Sequence, residues 1–169
     1  HHGLAAAARR GDGMIGLDVS YHQGHVDWER VHATEAKFAF IRASVGLKLD
    51  LRFTENWEGA RGLARGAYHF LHADQPGDEQ ARMLLEQLSE EPGELPPVVD
   101  LEEQSLHDAT PDHAVDVAVA CARTIAEKLG VRPILYTNPN TALLLGEAIA
   151  RLHEHMPTLW LADYRPRPI

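Results

Sequence analysis

The sequence predicts a single α/β domain in which a parallel sheet, wrapped by helices, bends toward a barrel. Three observations carry this expectation. Short apolar runs alternate with segments of helical apolar spacing about five times over, the pattern of parallel strands joined by helices. The connections between them are short. Several runs also end in polar or aromatic residues: Asp18, Arg42-Ala43-Ser44, His69, Asp100 with Glu102, Tyr136, and Asp163-Tyr164. A barrel would gather all of these at one rim.

His1 and His2 read as the end of an expression tag, and the run through Ala8 has no turn or strand chemistry. Residues 1–12 are therefore set aside as a tag or linker remnant, and 13–169 are taken as one domain. The run 14–20 is a first strand, with Asp18 held between apolar neighbours. A polar turn over 21–24 leads to a short helical segment at 26–31, then to a buried strand at 38–43 that is apolar almost throughout. Phe53, Trp57 and Ala60 are spaced as a helix over 53–61, and 66–71 is a third strand. Ala81, Leu84, Leu85 and Leu88 fall at i, i+3, i+4 and i+7, one face of an amphipathic helix that stops near Pro92-Gly93.

Thr110-Pro111 opens the next helix, with proline at its first position, and Gly130 closes it. Ala114, Val117, Ala118, Cys121 and Ile125 share its apolar face, which makes Cys121 a core residue rather than a nucleophile. A strand at 133–136, a helix over about 141–152 and a last strand at 158–162 complete the alternation.

Composition narrows the partners. Sixteen basic residues stand against 25 acidic ones, a net charge of −9 with no basic run to offset it. Nucleic acid and anionic membrane surfaces are not expected partners. No apolar stretch approaches the roughly 20 residues that span a bilayer. The single cysteine excludes an internal disulfide and a cysteine-rich metal site. Neither a dinucleotide nor a nucleotide phosphate-binding glycine motif occurs, so no such cofactor is expected.

The most informative stretch is Leu95-Pro96-Pro97-Val98-Val99-Asp100-Leu101-Glu102-Glu103. Two prolines mark a turn, and two β-branched valines begin a strand too short to be a helix. Residues two apart on a strand point to one face, about 6.5–7 Å apart. Asp100 and Glu102 therefore share a face at the carboxyl end of a strand, where catalytic groups gather in parallel α/β folds, and Glu103 points away. Two readings stay open on this stretch alone: a solvated acidic loop, or a catalytic carboxylate pair that repulsion would otherwise select against.

The order of six segments resembles the glycoside hydrolase family 25 lysozymes. These are Gly16-Leu17-Asp18-Val19-Ser20-Tyr21-His22-Gln23-Gly24 followed by Val26-Asp27-Trp28; Phe38-Ala39-Phe40-Ile41-Arg42-Ala43; Gly66-Ala67-Tyr68-His69-Phe70; Pro97-Val98-Val99-Asp100-Leu101-Glu102; Tyr136-Thr137-Asn138; and Leu159-Trp160-Leu161-Ala162-Asp163-Tyr164. Each is weak alone; six in order are specific. The resemblance implies a flattened, irregular TIM-like β/α barrel. It implies cleavage of the bond between N-acetylmuramic acid and N-acetylglucosamine in bacterial peptidoglycan, by a secreted or wall-directed monomer. The family's catalytic carboxylates map onto Asp18, Asp100 and Glu102. The family's barrel continues past the Trp160 strand to another rim aspartate, whereas this chain stops at Ile169. The expectation is that a fuller chain carries that strand; failing that, Asp163 is the fourth acid.

Within that frame Glu102 is expected to be the general acid, its proton held by the neighbouring charges, while Asp100 and Asp18 stay ionised and stabilise the positive centre. The substrate's 2-acetamido group is a candidate nucleophile, with Asp100 orienting it. Tyr68, Tyr136, Trp160 and Tyr164 can stack on sugar rings or fill a barrel core. His69 and Asp163 are candidate substrate contacts; His69 and His22 can equally be structural. His153 and His155, two apart on a helix end, cannot face one ion together, so no metal is expected. The competing class is a non-catalytic wall-binding module on the same scaffold.

Overall fold

The structure, a computed structural model, describes residues 14–162. Seven strands form one sheet: β1 (Ile15–Val19), β2 (Ala36–Val45), β3 (Lys48–Leu49), β4 (Ala64–Phe70), β5 (Val98–Asp100), β6 (Ile134–Thr137) and β7 (Leu159–Leu161). Between them run α1 (Trp28–His32), α2 (Phe53–Gly59), α3 (Gly77–Gln87), α4 (Pro111–Leu129), α5 (Pro139–Leu145) and α6 (Ala150–His153). The spatial order is β1-β2-β4-β5-β6-β7, every pair parallel, with β3 folded back antiparallel on β2.

One contact measures how far this sheet curls. Phe40 on β2 and Trp160 on β7 are four strand-to-strand steps apart, yet their ring centroids are 5.1 Å apart. In a flat sheet those steps would span about 19 Å. The sheet is a curled half-barrel, its concave side holding the aromatic rings and its convex side covered by helices. Among the described residues β1 and β7 do not pair with each other.

The convex side holds the core. Ile41, Leu71, Val99 and Leu101 from the strands meet Ala81, Leu84 and Leu88 around α3 and Ala118, Cys121 and Ile125 of α4, all buried. Each fully buried aliphatic side chain contributes about 1.5–3 kcal/mol. The two helices pack so closely at Gly77 that a methyl there would lie 2.0 Å from the carbonyl oxygen of Val117. Only glycine fits this crossing. Cys121 sits in the packing with its thiol pushed up to about 12 by burial, which leaves it inert.

The helix ends obey the signals in the sequence. The Thr110 hydroxyl accepts from the N–H of His113 at the start of α4, and Gly130 ends it with φ 72°. Two elements differ from expectation. The hairpin strand β3 has only Lys48 and Leu49 and carries no periodic signal. The helix expected over 141–152 starts earlier, capped by the Asn138 side chain on Thr141 N–H, and breaks at Gly146. The chain there takes φ 55°, runs through a 3-10 turn at Gly146–Ile149 and resumes as α6.

Candidate active site

Strand register builds the site. Phe70 pairs with Asp100, Asp100 with Tyr136 and Tyr136 with Trp160, so four neighbouring strands present these residues in one row on the concave face. Two residues earlier along the strands, Arg42, Tyr68 and Val98 form a second row. Asp18 and Ser20 join them from the end of β1, and the whole encloses a cleft of about 360 Å³. This volume lies within the range of small-molecule sites.

β5 ends at Asp100, but the backbone stays extended through Glu102, at φ −124° and ψ 176°. The alternation therefore continues: Leu101 is fully buried on the helix side and Glu102 returns to the cleft. Buried Ser105 fixes the turn. Its hydroxyl accepts from Glu102 N–H at 3.0 Å, and its own N–H donates to Glu102 C=O at 2.9 Å. Glu103 is exposed, facing away as expected.

Asp100 is the buried member, with 7% of its surface exposed. Its carboxyl is raised well above the ordinary carboxylate range, first because burial withdraws water from the charge. The charge of Glu102 and a carboxyl–carboxyl hydrogen bond with it add to this, then Asp18, while Arg42 opposes. Such a hydrogen bond requires a proton on one of the two acids. The expectation was an ionised Asp100 beside a protonated Glu102; burial instead makes Asp100 an acid whose charge the fold disfavours. The strand carries Asp100 into the sheet, and desolvation there outweighs the arguments from side-chain length that favoured Glu102. One oxygen, Oδ1, is buried with no hydrogen-bond partner among the described residues. Asp18 is more open to solvent, yet the cleft walls desolvate it enough to raise its carboxyl as well.

A cation stands among these acids. Arg42 is 6% exposed, donates from Nε to Asp50 Oδ2 at 2.8 Å and lies over the Tyr21 ring at 4.9 Å. Asp50 is held in turn by the N–H groups of Tyr21 and Arg52, at 3.1 and 2.9 Å. Arg42 Nη2 has no partner among the described residues.

The structure brings together Asp18, Asp100, Glu102, Tyr68, Tyr136 and Trp160. Burial pushes the Tyr68 phenol up, and a hydrogen bond to Ser20 partly offsets this. Trp160 meets Tyr136 edge to face at 5.0 Å. His22 also lines the cleft. His69 does not: it is fully buried on the helix side, one ring nitrogen 2.8 Å from Ser44 Oγ and the other 3.0 Å from Gln80 Oε1. With both nitrogens engaged it has nothing to offer a substrate, and its place in the candidate set is withdrawn. Asp163 and Tyr164 lie outside the described residues. Sequence reasoning had Arg42 among the strand ends of the rim but gave it no role, and it missed Ser20, Phe70 and Gln104 as cleft residues. Arg42 alone had a visible signal, a charge inside an apolar strand.

An acid-rimmed cleft at the carboxyl ends of a curled parallel sheet is the build of a β/α-barrel enzyme. The chain belongs to the glycosyl hydrolases family 25, whose family model matches residues 17–168. An uncharacterized protein, YegX, of Escherichia coli (strain K12) is 32% identical over 160 residues, covering 90% of this chain and 57% of that protein. The chain thus spans little more than half the length of this curated relative. Lysozyme M1 of Streptomyces globisporus is 43% identical over 61 residues, 34% of this chain and 21% of that protein. Among solved structures, a family 25 glycosyl hydrolase from Bacillus anthracis matches with a TM-score of 0.80 at 24% identity, over 99% of this chain and 79% of that one.

Proposed function

We propose that this domain is a muramidase: it hydrolyses the β-1,4 bond between N-acetylmuramic acid and N-acetylglucosamine in bacterial peptidoglycan, acting outside the cell or at the wall. One observation carries the reading. A buried carboxyl with a free oxygen sits in hydrogen-bond contact with a second carboxyl, inside a cleft walled by Tyr68, Tyr136 and Trp160. Membership of family 25 and the likeness to lysozyme M1 support it.

Glycoside cleavage needs a proton at the leaving oxygen and negative charge near the anomeric carbon. The Asp100–Glu102 pair supplies both in turn. Glu102, past the end of the strand, gives the shared proton to the glycosidic oxygen as the C–O bond breaks. The pair is then fully anionic beside the developing positive centre, and Asp18 adds its charge from β1. Asp100 orients the 2-acetamido group, turning that group's carbonyl oxygen onto the anomeric carbon. Water, deprotonated by Glu102, then opens the ring so formed and restores the proton to the pair. Two displacements at one carbon retain its configuration.

Digesting purified peptidoglycan and reducing the new ends with borohydride tests this. The expected product is reduced N-acetylmuramic acid. Reduced N-acetylglucosamine would indicate a glucosaminidase, released peptide amines would rule out glycan chemistry, and wall binding without new ends would favour a binding module.

A further inference from the structure

The turn that follows β4 and the turn that carries Glu102 meet at three side chains the proposed chemistry does not use. We propose that His72, Asp74 and His107 form a zinc site that ties these two turns together. A ligand atom from each lies within 4.8 Å of the others, and His107 Nε2 is 4.0 Å from Asp74 Oδ1. The two imidazole rings approach to 4.4 Å between centroids, tilted by 56°. Two nitrogens and one carboxylate oxygen are the donor set of borderline divalent ions, zinc above all. Around a tetrahedral zinc with bonds of about 2.0–2.1 Å, donor atoms stand about 3.3–3.5 Å apart. The side chains therefore need to close by little more than about 1 Å, within the reach of small torsional changes, leaving a fourth position for water.

Both turns are fixed in a way that favours such a site. Buried Gln80 grips His72 on both sides: its Oε1 accepts from His72 N–H at 2.8 Å and its Nε2 donates to His72 C=O at 2.7 Å. On the other turn His107 and Asp108 both take left-handed backbone angles, φ 47° and 62°. Consecutive non-glycine residues rarely do so, and such strain gathers at ligand clamps. Ala73 N–H donates to Ser105 C=O at 2.7 Å, the same Ser105 that holds Glu102. An ion joining His72 and Asp74 to His107 would brace this bridge from its open side. Zinc binding itself is independent of the muramidase reading; only a consequence for Glu102 rests on it.

The test is calorimetric titration of the full chain with zinc chloride, alongside thermal melts with and without the metal. His72→Ala, Asp74→Asn and His107→Ala are compared with the parent. The expected result is one equivalent of zinc that raises the melting temperature, with affinity cut at least about tenfold in each variant. His107 and Asp74 are exposed, so their variants should fold even if His72→Ala does not. No zinc uptake at millimolar metal, or equal uptake by the parent and the His107→Ala and Asp74→Asn proteins, would overturn the site. Failure of the lysis assay alongside normal zinc binding would count against the muramidase reading alone.

Discussion

Replacing Asp100 by asparagine should make the protein more stable at neutral pH and nearly inactive. Burial and the neighbouring carboxyls raise the Asp100 carboxyl in the folded state. The unfolded chain releases that proton near the ordinary value of 3.8, while the folded chain keeps it to higher pH. The folded state then binds more protons, so stability falls as pH rises from about 4 through the raised value and stays low above it. Asparagine cannot ionise, and its amide N–H can donate to Glu102, replacing the shared proton. Relief of this kind in strained active sites contributes about 0.5–2 kcal/mol, or about 1–8 °C in melting temperature for a domain of this size. Thermal melts of the two proteins at pH 7 and pH 4 check it: the gain should appear at pH 7 and shrink at pH 4. Wall lysis should fall by a factor of about 10²–10⁴. A variant less stable than its parent at pH 7, or one whose gain is the same at both pH values, would refute the assignment of a buried, proton-holding Asp100.

Glu102→Gln should keep its circular dichroism spectrum and lose lytic rate by about 10²–10⁴-fold, since it removes a transferable proton and almost no volume; a tenth of the parent rate remaining would rule Glu102 out as the acid. Turbidity assays across pH should show lysis strongest in mildly acidic buffer, because the Asp100–Glu102 proton is lost as pH rises through the raised titration; a rate still climbing above about pH 8 would contradict this. His69 behaves oppositely to Asp100. Burial lowers its imidazole from 6.5 to about 4, so the neutral ring contributes stability above 6.5 that is lost as pH falls toward 4, up to about 3 kcal/mol. His69→Gln, unfolded in urea at pH 7 and pH 4.5, should lose about 2–3 kcal/mol less between those conditions than the parent does, and an equal loss would mean that His69 is not held neutral.

How much of this was legible in the sequence follows from period two. That rule put Asp100 and Glu102 on one face with Leu101 behind them, and the extended backbone keeps them there. The same rule, applied one strand over, separates Tyr68 from His69. Tyr68 is in the cleft, so His69 must face the helices, where it meets Ser44 and Gln80. Aromatic and polar character had hidden this, because a buried histidine looks like a functional one until its partners are known. Depth was illegible too. Which of two acids two residues apart is the more desolvated depends on where the strand leaves the sheet, a tertiary fact. β3 is too short to have any period, and its importance lies in the turn that brings Asp50 under Arg42.

That pairing bears on the proposed acid chemistry. A guanidinium free to swing onto Asp100 would form an ion pair with it and draw off the proton that cleavage needs. Arg42 shares the concave face with Asp100 and is buried enough to exert such a pull. Its Nε is instead committed to Asp50, and its ring-like plane is laid over Tyr21. Asp50 is itself locked by two backbone N–H groups, so it does not release the arginine easily. Arg42 consequently lowers the Asp100 carboxyl less than burial, Glu102 or Asp18 raises it. It limits the repulsion among three acids without neutralising any of them. In the proposed mechanism Asp50 thus keeps the arginine from drawing off the proton of the Asp100–Glu102 pair, and it does so from outside the cleft, held there by the same turn that carries Tyr21.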